Sequence, residues 1–233
     1  MRINKRYKDI LEQYIHKGEK TPFTIGTLVV CALCFLLFII ASFTQFNFSH
    51  LWFKFQMGSG FGIYTKHIAY NPIVPTMIFI IYLLGKKYSS ILFAFYLITG
   101  FFIWPIFVFG GGFSYIQNYL FGYLLGFVPA IIVSGSIFKL NQLIKTRIVG
   151  ALLGVLSIHV CGFLYCFLLA ILRKLDFGLI GPIVSTITFN KIIYDILFTL
   201  LMILIVPYIK NVFWVCMKPK VERKRIPVKR EVI

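Results

Sequence analysis

The stretch "TIGTLVVCALCFLLFIIASFT", residues 24–44, decides the class of this protein. It carries no charged side chain, and about 20 mostly apolar residues let an α-helix cross the hydrocarbon core of a bilayer. Similar runs recur along the 233-residue chain, whose mean hydropathy is +0.88 and whose charged fraction is 13%. A soluble domain carries about 25% charged residues. We therefore expect one polytopic membrane domain.

The apolar runs predict an all-α fold with six transmembrane helices. The second run is too short for an ordinary span, because 13 residues rise only about 20 Å against a core about 30 Å thick. Before it stands "AYNPIVP", where Pro72 and Pro75 disfavour helix in the residues that precede them. We expect an extended segment there, near an outward-facing cavity, and a long aromatic loop over 45–70. The predicted spans are 24–44, 72–84, 91–109, 119–138, 148–172 and 189–213.

The basic residues predict the orientation of this domain. With a cytoplasmic N-terminus, 19 of the 24 lysines and arginines fall on the cytoplasmic side and five on the outer side, as the positive-inside rule requires. The net charge of +17 lies in tails and short loops, which argues against nucleic-acid binding. Three parts follow: an amphipathic cytoplasmic segment at 1–23, a six-helix membrane domain at 24–213, and a basic cytoplasmic tail at 214–233. Both terminal parts are expected on the inner surface of the lipid membrane.

A glycine-rich loop between the third and fourth predicted spans is the first candidate site. Non-helical backbone persists at membrane depth only where protein or water shields it, and glycine lets backbone approach a ligand closely. A flexible turn is the alternative interpretation. No lysine or arginine occurs between Lys87 and Lys139, so a neutral, partly planar ligand group is favoured over a phosphate. The candidate residues are Gly110, Gly111, Gly112, Tyr115, Gln117, Asn118 and Tyr123.

The segment "TFNKIIYDIL" at the outer end of the sixth predicted span is the second candidate. Lys191 and Asp195 are four residues apart, so they share one helix face. Ionisable groups inside a span indicate function by default; the alternative is an internal Lys–Asp pair. Asn190 and Tyr194 add two polar groups. His159, in the fifth span, is expected to bond to a neighbouring helix, with a ligand or proton role as the alternative.

Sequence motifs argue against an enzyme. The chain has no H-E-x-x-H, no G-x-S-x-G and no P-loop. Five cysteines lie in or at the end of apolar runs, where small packed side chains are the simplest interpretation. Neither a metal nor a cofactor is expected, and energy for concentrative uptake would have to come from a partner or an ion.

Four motifs in order resemble the BioY family, the biotin-binding S components of energy-coupling-factor transporters. They are "LLGKKY" (83–88), "FYLITG" (95–100), "PIFVFGGG" (105–112) and "GYLLGFVPA" (122–130) followed by Gly135. The resemblance implies six helices, a biotin site open to the outside, and a multi-pass location in the bacterial cell membrane. It also implies a transmembrane coupling (T) protein and ABC-type ATPase subunits as partners.

The resemblance further implies that Gly110, Gly111, Gly112 and Tyr123 line the site. The family's sixth helix places an acid before a base, whereas here Lys191 stands at the acidic position and Tyr194 at the basic one. We expect biotin uptake, with Lys191 facing the carboxylate of biotin. Asp195 and Asn118 would face its polar ring groups, and Tyr115 and Tyr123 its apolar ring. The alternatives are an S component for another small vitamin, or a membrane-embedded enzyme.

Overall fold

The computed structural model describes residues 23–56, 60–140, 143–173, 181 and 184–217, without the side chains of 50–56, 60–66, 186–187 and 214–217. Six α-helices and one β-hairpin make up most of it. The elements are α1 (Ile25–Phe43), β1 (Phe46–Gln56), β2 (Gly60–Tyr70), α2 (Ile73–Ile98), α3 (Leu120–Leu125), α4 (Phe127–Leu140), α5 (Ile144–Leu172) and α6 (Asn190–Met217). Short turns of other helix types follow α2 (Thr99–Ile103), precede α3 (Phe113–Gln117) and precede α6 (Ser185–Phe189).

Five helical segments are long and apolar enough to cross a membrane: Ile25–Phe43, Ile73–Ile103, Leu120–Leu140, Ile144–Leu172 and Asn190–Phe213. This confirms a multi-pass membrane protein built mainly of helices. Four of the five agree with predicted spans to within a few residues at each end. The remaining segment, Ile73–Ile103, joins what the sequence predicted as separate second and third spans.

That joined segment is broken in the middle at Gly85. Its φ of 75° and ψ of 172° are not helical, and glycine adopts a positive φ without steric penalty. The Ser89 hydroxyl donates to the carbonyl of Ile80 at 3.3 Å. Asn71 and Tyr96 both contact Ser42, although a straight helix would separate them by about 37 Å. The chain therefore doubles back at Gly85, and both ends of α2 lie beside the end of α1.

The predicted third span, 91–109, extends too far. Helical structure ends at Ile103, and Trp104 has extended backbone dihedrals. The Gly112 N–H donates to the carbonyl of Gly100 at 2.8 Å, so the chain after Ile103 folds back onto the end of the helix. Residues that the hydropathy profile assigned to the span, such as Val108, belong instead to the loop.

The predicted aromatic loop over 45–70 is instead a β-hairpin, so the fold is mainly, but not purely, α-helical. β1 and β2 form an antiparallel pair that runs from Phe46 opposite Tyr70 to Gln56 opposite Gly60. Aromatic residues favour extended backbone, and five of the ten residues of "FNFSHLWFKF" are phenylalanine or tryptophan. The extended segment expected before Pro72 is the end of β2. Pro75 lies in the first turn of α2, where the missing N–H removes no helical bond.

The core lies where α1, α2 and α4 meet. Phe38 contacts Tyr96 and Phe127 edge-to-face, at ring-centroid distances of 4.6 and 5.7 Å. All three side chains are buried. The hairpin packs on α6 through stacked rings, with the ring centroids of Phe48 and Tyr194 5.1 Å apart. The predicted segment 1–23 and the tail 214–233 lie outside the described residues, apart from residue 23 and the backbone of 214–217.

Candidate functional site

A cavity of about 80 Å³ lies among α2, the loop before α3, the α3–α4 segment, α5 and α6. About 10–15 Å³ is enough for one water molecule, so the space suits something larger. Aliphatic side chains and Phe127 form much of its wall. The polar residues that line it are Asn71, Tyr96, Tyr115, Tyr123, His159, Lys191 and Asp195.

Asp195 is the centre of the polar side of this cavity. The Tyr70 hydroxyl donates to Oδ1 at 2.9 Å, and His159 Nε2 lies 3.0 Å from Oδ2. All three side chains are buried. Burial, helped by the Asp195 carboxyl, raises the pKa of Tyr70, so the phenol keeps the proton that it donates. Residues from β2, α5 and α6 are thereby joined through one carboxyl group.

Lys191 lies one helical turn before Asp195 and also lines the cavity. The Asp195 carboxyl bonds to His159, and Lys191 Nζ lies more than 4.0 Å from either of its oxygens. The internal Lys–Asp pair, considered from the four-residue spacing, is therefore not formed. The lysine remains a half-buried cation beside the cavity, whereas the expectation that His159 bonds to a neighbouring helix is confirmed.

Tyrosine rings form another part of the wall. The Tyr115 hydroxyl donates to the carbonyl of Val108 at 2.9 Å, and burial raises the pKa of Tyr115. Tyr123 bonds to the Thr188 hydroxyl and meets His159 edge-to-face at 5.8 Å. A Cβ atom at Gly162 would lie 2.4 Å from the Tyr123 ring, so this glycine of α5 makes room for it. The wall offers flat faces and neutral phenols.

Asn71 is placed in the wall by the turn between β2 and α2. Its Nδ2 donates to the carbonyl of Thr44 at 2.8 Å and to that of Ser42 at 3.4 Å. The side chain thus ties the start of α2 to the end of α1. It is 7% exposed, so the amide is fixed in position and is buried in the cavity wall.

Three of the eleven predicted site residues lie elsewhere for reasons of chain geometry. Gly110 pairs with Phe107 in an isolated β-bridge. A Cβ atom at Gly111 would lie 2.3 Å from Pro105 Cα, so this glycine packs against its own loop. Gly112 has a φ of 73°. Among the described residues that line the cavity, none of these glycines appears.

Four predicted polar residues also have other positions. Gln117 is exposed, and its carbonyl accepts a bond from Arg173. Asn118 Oδ1 accepts the Leu120 N–H at 2.9 Å, which begins α3. Asn190 is buried at the start of α6, and Tyr194 stacks on the hairpin. The cavity wall brings together the other four: Tyr115, Tyr123, Lys191 and Asp195.

Sequence reasoning missed Asn71 and Tyr96, and it did not place His159 in the site. Asn71 lies in "AYNPIVP", the segment expected near the cavity, so its polar side chain could have been predicted as a site residue. Tyr96 could not have been predicted in this way, because a single tyrosine in an apolar helix usually only packs against its neighbours. It lines the cavity while its hydroxyl donates to the Ile106 carbonyl at 3.0 Å. The helical return at Gly85 brings it there.

The arrangement suits a small, partly planar molecule with an acidic end. Lys191 supplies a positive charge, the tyrosines and Phe127 supply apolar faces, and the buried groups around Asp195 supply hydrogen bonds. Such a balance of apolar walls and few polar groups is typical of small-molecule sites. In the part of the chain that the structure describes, no group of three or more His, Cys, Asp or Glu residues could hold a metal ion.

Comparisons with known proteins agree with this fold. The sequence model of the BioY family matches residues 19–214. Among solved structures, the chain is similar to the crystal structure of the S-component for biotin from an ECF-type ABC transporter. The TM-score is 0.59 at 17% identity, with 91% of this chain and 95% of that chain covered. At this identity the likeness shows a shared fold. Comparison with curated proteins finds no match. Because the family match spans nearly all of the described membrane domain, the protein belongs to the BioY family.

Proposed function

We propose that this chain takes up biotin across the cell membrane as the substrate-binding component of an energy-coupling-factor transporter. The observation that carries the proposal is the cavity, which combines one half-buried lysine, a buried hydrogen-bonding network and aromatic walls. Biotin has matching parts: a carboxylate, a polar cyclic urea and an apolar sulfur-containing ring. Membership of the BioY family and the fold shared with a biotin S-component support the same ligand.

In the proposed complex, Lys191 faces the biotin carboxylate. Among the described residues that line the cavity, Lys191 is the only lysine or arginine. Asp195 and His159 already bond to each other. Tyr115 and Tyr123 pack on the apolar ring. Asp195 acts through His159 and Tyr70, because each carboxyl oxygen has a partner.

The seven residues outside the cavity wall take a supporting role in this proposal. The segment Gly110–Gly112 and Asn118 shape the loop that carries Tyr115. Gln117 and Tyr194 connect that loop and α6 to neighbouring elements, and Asn190 is buried at the start of α6. We therefore assign ligand contact to Tyr115, Tyr123 and Lys191, with Asp195 as a positioning residue.

The chain has no P-loop, so energy for uptake comes from partners in this proposal. A transmembrane coupling protein and ABC-type ATPase subunits supply it, and the chain itself has no catalytic step or cofactor. The similar solved structure is named as a component of an ECF-type ABC transporter, which supports this assignment. Biotin should bind the isolated chain without ATP, while concentrative uptake should require the ATPase subunits.

The proposed topology has six crossing segments in the bacterial cell membrane, with both termini in the cytoplasm. The return of α2 at Gly85 supports six, because it divides Ile73–Ile103 into two segments of opposite direction. The terminal parts 1–23 and 214–233 flank the domain on the cytoplasmic side. Ser114 and Ser90 are both exposed, on opposite sides in this topology. A cysteine at Ser114 should react with an impermeant thiol reagent from outside, and one at Ser90 should not.

A binding titration tests the function. The purified full-length chain in detergent is titrated with biotin, with biotin amide and with a panel of other small vitamins. We expect saturable biotin binding that exceeds binding of the amide. Tighter binding of another vitamin would support an S component for that compound. If no vitamin binds while a lipid or peptide is turned over, a membrane-embedded enzyme is the better account.

A further inference from the structure

Two buried polar atoms in the cavity wall have no hydrogen-bond partner among the residues that the structure describes. They are Asn71 Oδ1 and His159 Nδ1, in side chains that are 7% and 4% exposed. A buried acceptor without a donor is unfavourable, and such atoms in native proteins call for an explanation. Thr199 Oγ1 is also buried without a partner, but Thr199 does not line the cavity.

The orientation of the Asn71 amide is set by its neighbours. Its nitrogen faces the carbonyl oxygens of Ser42 and Thr44, and carbonyl oxygens only accept. The reverse orientation would place oxygen against oxygen. The free atom is therefore Oδ1, an acceptor.

The free nitrogen of His159 is also an acceptor. Its other nitrogen, Nε2, lies 3.0 Å from Asp195 Oδ2. We assign Asp195 as the carboxylate and His159 as the neutral imidazole, with its proton on Nε2 and its lone pair on Nδ1. Tyr70 donates to the other carboxylate oxygen, which holds Asp195 in place. The network thus orients the ring and fixes its tautomer.

We infer that Asn71 and His159 form a two-acceptor subsite that recognises a pair of N–H donors on the ligand. This rests on the proposed function and names its specificity-determining residues. The cyclic urea of biotin carries two N–H groups, one for each acceptor. Both acceptors line the same cavity, and Asn71 directly follows Tyr70, whose hydroxyl bonds to the carboxylate that holds His159. Lys191, one turn away on α6, is left for the acidic end of the ligand.

The wild-type, full-length protein tests the inference through changes in the ligand. Affinities are measured for biotin and for two analogues in which one or the other ring N–H is replaced by CH₂, which changes the shape little. Each replacement strands one buried acceptor, so each analogue should bind about 5- to 150-fold more weakly. Thr199→Val is the matched control, because it removes an unpartnered buried hydroxyl outside the cavity. It should leave all three affinities unchanged.

A triple variant assigns one acceptor to one N–H. Tyr70→Phe/His159→Phe/Asp195→Leu replaces the whole network by apolar groups, so no charge is left buried alone. It should bind one CH₂ analogue at least as tightly as biotin, because the N–H that faced His159 has lost its acceptor, and it should still discriminate against the other analogue, whose missing N–H is the one that Asn71 binds. Equal wild-type affinity for biotin and both analogues would overturn the subsite and leave the proposed function standing. Failure of wild type to bind any of the three would overturn the proposed function and the subsite with it.

Discussion

The loop before α3 and the first turns of α6 are both polar segments in an apolar protein, and they use their polar groups in opposite ways. In the loop, Tyr115 bonds to Val108 and Asn118 bonds to Leu120. Its polar groups are satisfied mainly within a few residues. On α6, Asp195 bonds instead to Tyr70 and His159, from distant parts of the chain.

The difference separates a segment that shapes the cavity from one that gives it chemistry. Local hydrogen bonds in the loop consume its donors and acceptors, whereas the network around Asp195 leaves His159 Nδ1 without a partner. Unused hydrogen-bonding capacity beside a cavity is therefore a better guide to the ligand than the number of polar residues. The predictions below test this contrast, from the largest expected effect to the smallest.

His159→Leu should produce the largest loss of stability, because it removes the His159 N–H that hydrogen-bonds to the buried Asp195 carboxylate. Leaving a buried charged group without its hydrogen-bond partner costs about 3 kcal/mol or more. The free energy of unfolding is measured by denaturant titration in detergent micelles. The apolar variant Tyr70→Phe/His159→Phe/Asp195→Leu is the control and should recover most of the loss. An equal loss in that variant would mean that packing, and not the stranded charge, is responsible.

Lys191→Met should weaken biotin binding with little effect on folding. A hydrogen bond to a charged group contributes about 1.5–3 kcal/mol, which corresponds to about a 10- to 150-fold loss of affinity. Arg173→Met is the matched control, since Arg173 bonds to the loop at Gln117 and does not line the cavity. Biotin amide should be indifferent to Lys191→Met. Equal affinity of wild type for biotin and its amide would rule out the assigned role.

Alanine substitutions should rank the three glycines by geometry. At Gly111 a Cβ atom would lie 2.3 Å from Pro105 Cα, and at Gly112 φ is +73°. Overpacking and left-handed strain each cost about 1–3 kcal/mol. Gly110→Ala is the control: its Cβ atom would lie 3.4 Å from the Tyr115 ring, an ordinary contact, and its effect should stay within about 0.5 kcal/mol. If a variant lost affinity for biotin while its free energy of unfolding stayed at the wild-type value, that glycine would have to contact the ligand.

Asn118→Ala should have the smallest effect of the substitutions that are expected to perturb the protein, leaving the controls aside. It removes the side-chain bond to the Leu120 N–H, and such a neutral bond contributes about 0.5–1.5 kcal/mol to the free energy of unfolding. Affinity for biotin should not change, because the amide faces its own backbone. Asn118→Asp, which keeps the acceptor, should retain the stability of wild type. A selective loss of affinity in Asn118→Ala would contradict the structural role.

Much of the fold could be predicted from local properties of the sequence. A span is encoded by a continuous apolar run, so the segment around Val30 and the one around Val155 were found with nearly correct ends. Errors arose where hydropathy and backbone geometry disagree. The run through Val108 is apolar enough for a helix, yet the chain leaves the helix at Ile103. The hairpin was missed because strand pairing joins residues as distant as Phe46 and Tyr70.

The sequence alone determined the membrane class, the positions of most spans and the family, and it named Lys191 and Asp195, which line the cavity, as candidate site residues. All of these depend on composition, on spacing along one helix, or on ordered motifs. Only the tertiary structure decided the partners of Asp195 and the membership of Asn71, Tyr96 and His159 in the cavity. These residues meet because the chain turns back at Gly85 and because β2, α5 and α6 converge. A hydrogen bond between side chains 125 residues apart, as between Tyr70 and Asp195, depends on how the elements pack and has no local signature in the sequence.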